Sequence, residues 1–132
     1  SLVYFLNKKL NLNLSREEKD ISFVHSKKNI FFSLFSCYDE ESDNNWSLIK
    51  NETTFENHRV NDNNLFGNEK VTMLMCLIPE YKNFDFLIKI NGLVFNKKEI
   101  ISLVKDMRNV EIISEIPIIE GLSVQSKGNL CF

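Results

Sequence analysis

Apolar residues in this chain arrive in runs of strand length, and only one stretch spaces them as a helix does. Asn29 to Tyr38 (NIFFSLFSCY) is aromatic-rich and reads as a central strand buried on at least one side. Val71 to Ile78 (VTMLMCLI) is a continuous apolar run closed by Pro79, which has no amide proton to give a central strand. Phe84, Phe86, Ile88 and Ile90 alternate with Asp85 and Lys89, the period of a half-buried strand. Asn91-Gly92 then predicts a tight hairpin, with Leu93-Val94-Phe95 as the returning strand.

Helical spacing appears over 97–108. Asn96 is a capping residue, Glu99 follows three positions on, and Ile100, Leu103, Val104 and Met107 fall at i, i+3, i+4 and i+7. The opposite side carries Lys97, Lys98, Lys105 and Arg108. Shorter signals complete the pass. Leu2 to Leu6 followed by Leu10, Leu12 and Leu14 reads as a hairpin broken at Asn7-Lys8-Lys9. Ser15 and Glu18 form a capping-box pair for a second short helix near 16–25, with a strand starting at Ile21 as the alternative. Trp46 to Lys50 and Thr53 to Val60 read as short strands, and Asn61 to Asn68 as a loop of residues that bond their own backbone. Val110 to Ile119 reads as a last strand or strand pair broken at Pro117, and the chain from Gly121 as an edge strand or a loosely held end. About six or more strands, one firm helix and no βαβ alternation give an α+β fold, with the helix laid on a mainly antiparallel sheet.

The chain has 132 residues, 43% of them hydrophobic, which is enough for one core over 1–132 and too little for two. Seventeen Asn against one Gln, thirteen Lys against three Arg, and no Ala follow AT-rich codons, so the Asn excess reads as a genomic fingerprint and not as a low-complexity tract. Cys37, Cys76 and Cys131 include no C-x-x-C pair, and an odd count argues against a disulfide framework, so a reducing cytoplasm is the expected setting. Ser1 in place of an initiator Met points to a processed start or a fragment. Three N-x-S/T triplets, at Asn13, Asn45 and Asn51, are what this composition yields by chance. No apolar stretch reaches the roughly 18 residues of a membrane helix, and no membrane association is expected.

Motifs for chemistry are missing. His25 and His58 stand alone, without ligand-type partners at metal-site spacing, so no metal and no cofactor is expected. Cys37, His58 and Asp62 are the one set of residue types for a thiol triad, but the apolar run around Cys37 disfavours a thiolate. Only four Gly occur, and none belongs to a phosphate-cradling loop. Nucleic-acid binding is not expected at a net charge of −2, the lysine-rich side of the 97–108 helix being read as its solvated face.

Charge is distributed unevenly. Between Tyr38 and Glu69 the acids Asp39, Glu40, Glu41, Asp43, Glu52, Glu56, Asp62 and Glu69 stand against Lys50 and Arg59, a net −6, so the rest of the chain carries +4. Trp46, the single tryptophan, follows the densest acids. An aromatic anchor beside carboxylates suits capture of a basic protein, with Asp39, Glu40, Glu41, Asp43, Glu52 and Glu56 supplying charge and Trp46 buried contact. The bland alternative is a solvated loop with Trp46 folded onto the sheet. The expectation is a non-enzymatic protein-binding domain of the immunity or antidote kind, which would neutralise a toxin by covering its active site. For a nuclease toxin, the acids would imitate the phosphate backbone. A structural or interaction domain of a larger viral, phage or secretion assembly is the second reading, and a small enzyme the third.

Overall fold

The computed structural model describes residues 2–59, 69–92, 96–107 and 124–132. In chain order these form α1 (Leu2–Leu10), β1 (Ser15–Arg16), β2 (Ile21–His25), β3 (Lys28–Phe32), β4 (Leu34–Asp39) and β5 (Asn44–Lys50). There follow β6 (Glu52–Arg59), β7 (Glu69–Cys76), a single 3-10 turn at Pro79–Tyr81, β8 (Phe86–Asn91), α2 (Lys97–Lys105) and α3 (Val124–Asn129). Among the described residues all pairings are antiparallel. One sheet has the order β1-β4-β5-β8, while β2–β3 and β6–β7 are two-stranded hairpins. The fold is α+β with a mainly antiparallel sheet, as the apolar runs imply.

Period-two alternation sorts the side chains of the four-stranded sheet onto two faces. Cys37, Trp46 and Ile90 lie across from one another, as do Phe35, Leu48 and Ile88. Helices cover this face except at Ile88, which stays exposed: Leu6 from α1, Val104 within α2 and Met107 just beyond it join Leu14, Trp46 and Leu48 in one buried cluster. On the other face Leu34, Ile49 and Leu87 line up, and Ile49 joins Ile30, Phe32, Leu77 and Ile78 in a second cluster under the two hairpins.

The aromatic run 29–38 is two strands and not one. Ser33 divides β3 from β4, and across from it Asn51 divides β5 from β6, with Lys50 N donating to Ser33 O at 3.2 Å. Asn51 is wholly buried and serves as the hub of this break. Its Oδ1 accepts from Ile78 N at 2.9 Å, and its Nδ2 donates to Tyr81 O at 2.9 Å and Phe84 O at 3.2 Å. Its own backbone bonds Asp85 O and Leu77 N. The amide thus satisfies backbone groups that the turn at Pro79–Tyr81 would otherwise bury unpaired, at about 1–3 kcal/mol for each group left so.

Three further sequence expectations are corrected. The segment 2–14 is not a hairpin: Leu2, Leu6 and Leu10 recur at the i+4 spacing of a helix, and α1 forms where they meet the sheet. Asn11, at φ 52°, ends it in the left-handed region, and Leu12 N donates back to Asn7 O at 3.0 Å, a Schellman closure. Asn7 also grips the exit strand, accepting from Leu14 N at 2.8 Å and donating to Leu14 O at 3.0 Å. Near 16–25 there is no helix; β1 and β2 stand there, because Ile21 and Phe23 pack into the second cluster at strand spacing. The end of the chain is helical over α3 and held in place. Asn129 Nδ2 donates to Leu77 O at 2.9 Å, Ser126 Oγ to Glu80 at 2.7 Å, and Lys89 Nζ to Leu130 O at 2.8 Å. The returning strand at 93–95, the loop 61–68 and the strand pair at 110–119 lie outside the described residues. In α2 the expected cap is present, Asn96 Oδ1 accepting from Glu99 N at 3.1 Å.

Candidate functional site

The candidate site is the turn joining β4 to β5. Asp39 pairs with Asn44 at the last rung, leaving Glu40, Glu41, Ser42 and Asp43 to make the connection. Asp43 closes it at φ 54°, a left-handed conformation that Asp and Asn tolerate better than most residues. Two side-chain bonds stiffen the turn: Ser42 Oγ donates to Asp39 Oδ2 at 2.6 Å, and the Tyr38 hydroxyl donates to the Asp43 carboxylate. At its root the Asn44 side chain is buried and lies against Gly92 of the neighbouring strand end. A Cβ at Gly92 would come within 1.5 Å of Asn44 Oδ1, so only glycine fits.

Glu40, Glu41 and Asp43 are exposed and Asp39 is half-buried. None of the four pairs with a lysine or arginine among the described residues, where Arg16 and Asp20 form an ion pair at 2.6 Å. Tyr38 stands among them with 54% of its surface exposed. Its phenol is held above the ordinary tyrosine value of 10.0, first because the hydrogen bond to Asp43 favours the protonated form. Partial desolvation and the negative charges of Asp43, Glu40 and Asp39 act in the same direction. The tip therefore sets four carboxylates near one open aromatic ring, two of them, Asp39 and Asp43, held by hydrogen bonds.

The structure does not gather the whole set expected to bind a partner. Trp46 is 5% exposed and sits in the helix-covered cluster, across from Cys37 and Ile90. Strand alternation decides this, since Trp46 shares the face of Leu48 while its neighbours Asn45 and Ser47 share the other. Trp46 is a core residue and is not open as an anchor; its indole N–H has no hydrogen-bond partner among the described residues. Glu52 and Glu56 are exposed but lie on β6, opposite Cys76 and Thr72, beyond the break at Asn51. From Asn44 to Glu52 the strand path is about 25 Å at roughly 3.3 Å per residue, so these two acids do not belong to the tip. Tyr38, which does, was not singled out in the sequence. The signal was present: with Phe35 and Cys37 turned to the helices, period two turns Tyr38 away from them.

Other candidate chemistry is dispersed. Cys37 lies half-buried beneath the helices, whereas His58 belongs to β6 at the opposite end of the molecule's long strands, and Asp62 lies outside the described residues. His25 is exposed at the end of β2. No group of three or more His, Cys, Asp or Glu able to hold a metal ion occurs among the described residues. Among them, too, no helix is long and apolar enough to cross a membrane. Comparison with models of known families, with curated proteins and with solved structures gave no match.

Proposed function

We propose that the chain is a non-catalytic protein-binding domain that captures a basic partner at the β4–β5 tip, in the manner of an immunity or antidote protein covering a toxin's cleft. The observation that carries this reading is Tyr38: a ring more than half bare, hydrogen-bonded into a turn of four carboxylates that the protein's own cations leave unpaired among the described residues. Such a tip has the two parts that capture needs. Charge accelerates encounter, and an aromatic ring of limited rotamer freedom supplies contact area at low entropic cost. The stiffness of the turn reduces what must be ordered on binding. Trp46 supports the tip from within the core and takes no contact itself.

The test uses the product of the gene adjoining this one as the probe, with association followed by surface plasmon resonance at low and high salt. Glu40→Lys with Glu41→Lys is expected to slow association at least tenfold at low salt, and Tyr38→Ala to speed dissociation. Association that keeps its rate and its salt dependence in the double variant would remove the tip from the site.

A second reading has an observation of its own. Val24 and Phe31 lie diagonally on the outer face of the β2–β3 hairpin, 68% and 52% exposed, a bare apolar pair of the sort that serves an interaction domain in a larger assembly. Self-association of the chain that Phe31→Ser abolishes would favour it.

A further inference from the structure

The helices cover one sheet face and turn a distinct chemistry outward. In α1, Leu2, Val3, Leu6 and Leu10 face the buried cluster. That leaves Tyr4 and Phe5 outward at 60% and 46% exposure, with Lys8 and Lys9 one turn further on and also exposed. α2 touches α1 and covers the same sheet face through Ile100 and Val104. Its outward side shows Lys98, Ser102 and Lys105, and Lys97 is exposed at its start. Across both helices five lysines stand against two acids, Glu99 and Asp106. The helical layer therefore carries a local excess of lysine, while the β4–β5 tip carries four carboxylates and no lysine.

We infer that this helical layer docks on an anionic phospholipid surface. Lysines alone would suit any polyanion, and the aromatic pair decides between them. Tyr4 and Phe5 meet edge to face, with centroids 5.4 Å apart and planes at 77°. They form a blunt wedge on an outward helix surface, not a pair of parallel ring faces along a groove, which is what successive nucleic-acid bases stack on. An apolar wedge flanked by lysines whose methylene stems reach past it is the arrangement of a helix lying at the boundary of headgroups and acyl chains. The lysines add attraction to anionic headgroups, and the rings penetrate. This inference is independent of partner capture at the tip, because it uses none of the tip's residues.

The experiment is co-sedimentation of the full chain with vesicles of phosphatidylserine and phosphatidylcholine in equal parts, with phosphatidylcholine alone, and with a single-stranded oligonucleotide as competitor. Binding to the mixed vesicles at low salt, lost at high salt and not seen with phosphatidylcholine alone, is the expected result. At about 1 kcal/mol for each basic residue near the surface, or roughly fivefold, Lys8→Glu with Lys9→Glu lowers partition by about 25-fold or more. Lys98→Glu with Lys105→Glu, on the other helix, does the same, so a fault in the folding of α1 cannot account for both. Phe5→Ser weakens binding while leaving its salt dependence unchanged. The inference is overturned if mixed vesicles are not bound, if both lysine pairs can be reversed without loss, or if the oligonucleotide binds and the vesicles do not.

Discussion

The β4–β5 turn and the β2–β3 turn cap opposite ends of the same long strand path, and they are held by different forces. At the first, the polar side chains do the work: Ser42 and Tyr38 bond Asp39 and Asp43, and Asn44 is wedged against Gly92. At the second, the two central residues Ser26 and Lys27 are both left-handed, at φ 49° and 66°, as a two-residue hairpin with the strands' own twist requires. Neither is the Asn or Gly that such a turn favours, so each carries backbone strain of about 1 kcal/mol or more. What holds the β2–β3 hairpin is its inner face. Ile30 and Phe32 are buried, and the Phe23 and Phe32 rings stack at 5.6 Å and 18°. Lys28 Nζ donates across to Glu56 O. One turn is specified locally; the other is imposed by packing and tolerates an ill-suited sequence.

The contrast is sharpest in two neighbouring residues. Phe32 is 0% exposed and Phe31 is 52% exposed. Phe32→Ala is therefore expected to cost about 3–5 kcal/mol in urea unfolding, and Phe31→Ala less than about 1 kcal/mol. Equal costs would mean that the outer face of the hairpin is covered, and the comparison would break there. At the other end the sensitive point is Gly92. Gly92→Ala drives a methyl into Asn44, and a loss of about 1–3 kcal/mol is expected in the same measurement. The strained turn responds in the opposite sense: Ser26→Asn with Lys27→Gly is expected to raise stability by about 1 kcal/mol. No gain would show that the strain is relieved by contacts at the tip.

The same division explains what could be read from the sequence. Where local chemistry and pattern agree, the elements were legible: Asn96 and Glu99 open α2, and the alternation through Ile88 and Ile90 marks β8. Where the long-range environment decides, they were not. Leu2 to Leu6 has a strand's composition, yet it is helical because Leu2, Leu6 and Leu10 meet the sheet at helical spacing and Asn7 and Asn11 close the end. Ser33 interrupts a continuous apolar run across from Asn51, and although the strand break at Asn51 was legible, its role as a hub with partners 27 to 33 residues away along the chain was not, because no local pattern announces it. At the candidate site, the carboxylates of the turn were legible from charge density alone. The exchange of roles between Trp46 and Tyr38 was not, because it depends on which face of β4 and β5 the helices cover, although the alternation of both strands already set the two rings on opposite faces.

The smallest expected effect tests whether the acidic tip is as fixed as its bonds imply. Tyr38 as a neutral phenol donates to Asp43. Ionised, it would lose that bond and place another negative charge beside Asp43, Glu40 and Asp39, so its ionisation is displaced above the ordinary 10.0. The sign of the linkage follows: with the folded value raised, the stabilising contribution is complete below the unfolded tyrosine value and is lost as pH rises through the folded one. In a titration of tyrosinate absorbance, with Tyr38→Phe used to isolate its contribution, the Tyr38 step is expected above the ordinary 10.0 where the turn is intact. Asp43→Gly keeps the left-handed backbone at φ 54° while removing the carboxylate, and should return the step toward the ordinary range. A Tyr38 step that stays where it was in Asp43→Gly would mean that the phenol and the carboxylate are not held together in solution. The tip would then be a mobile acidic loop, no stiffer than the strained turn at the far end.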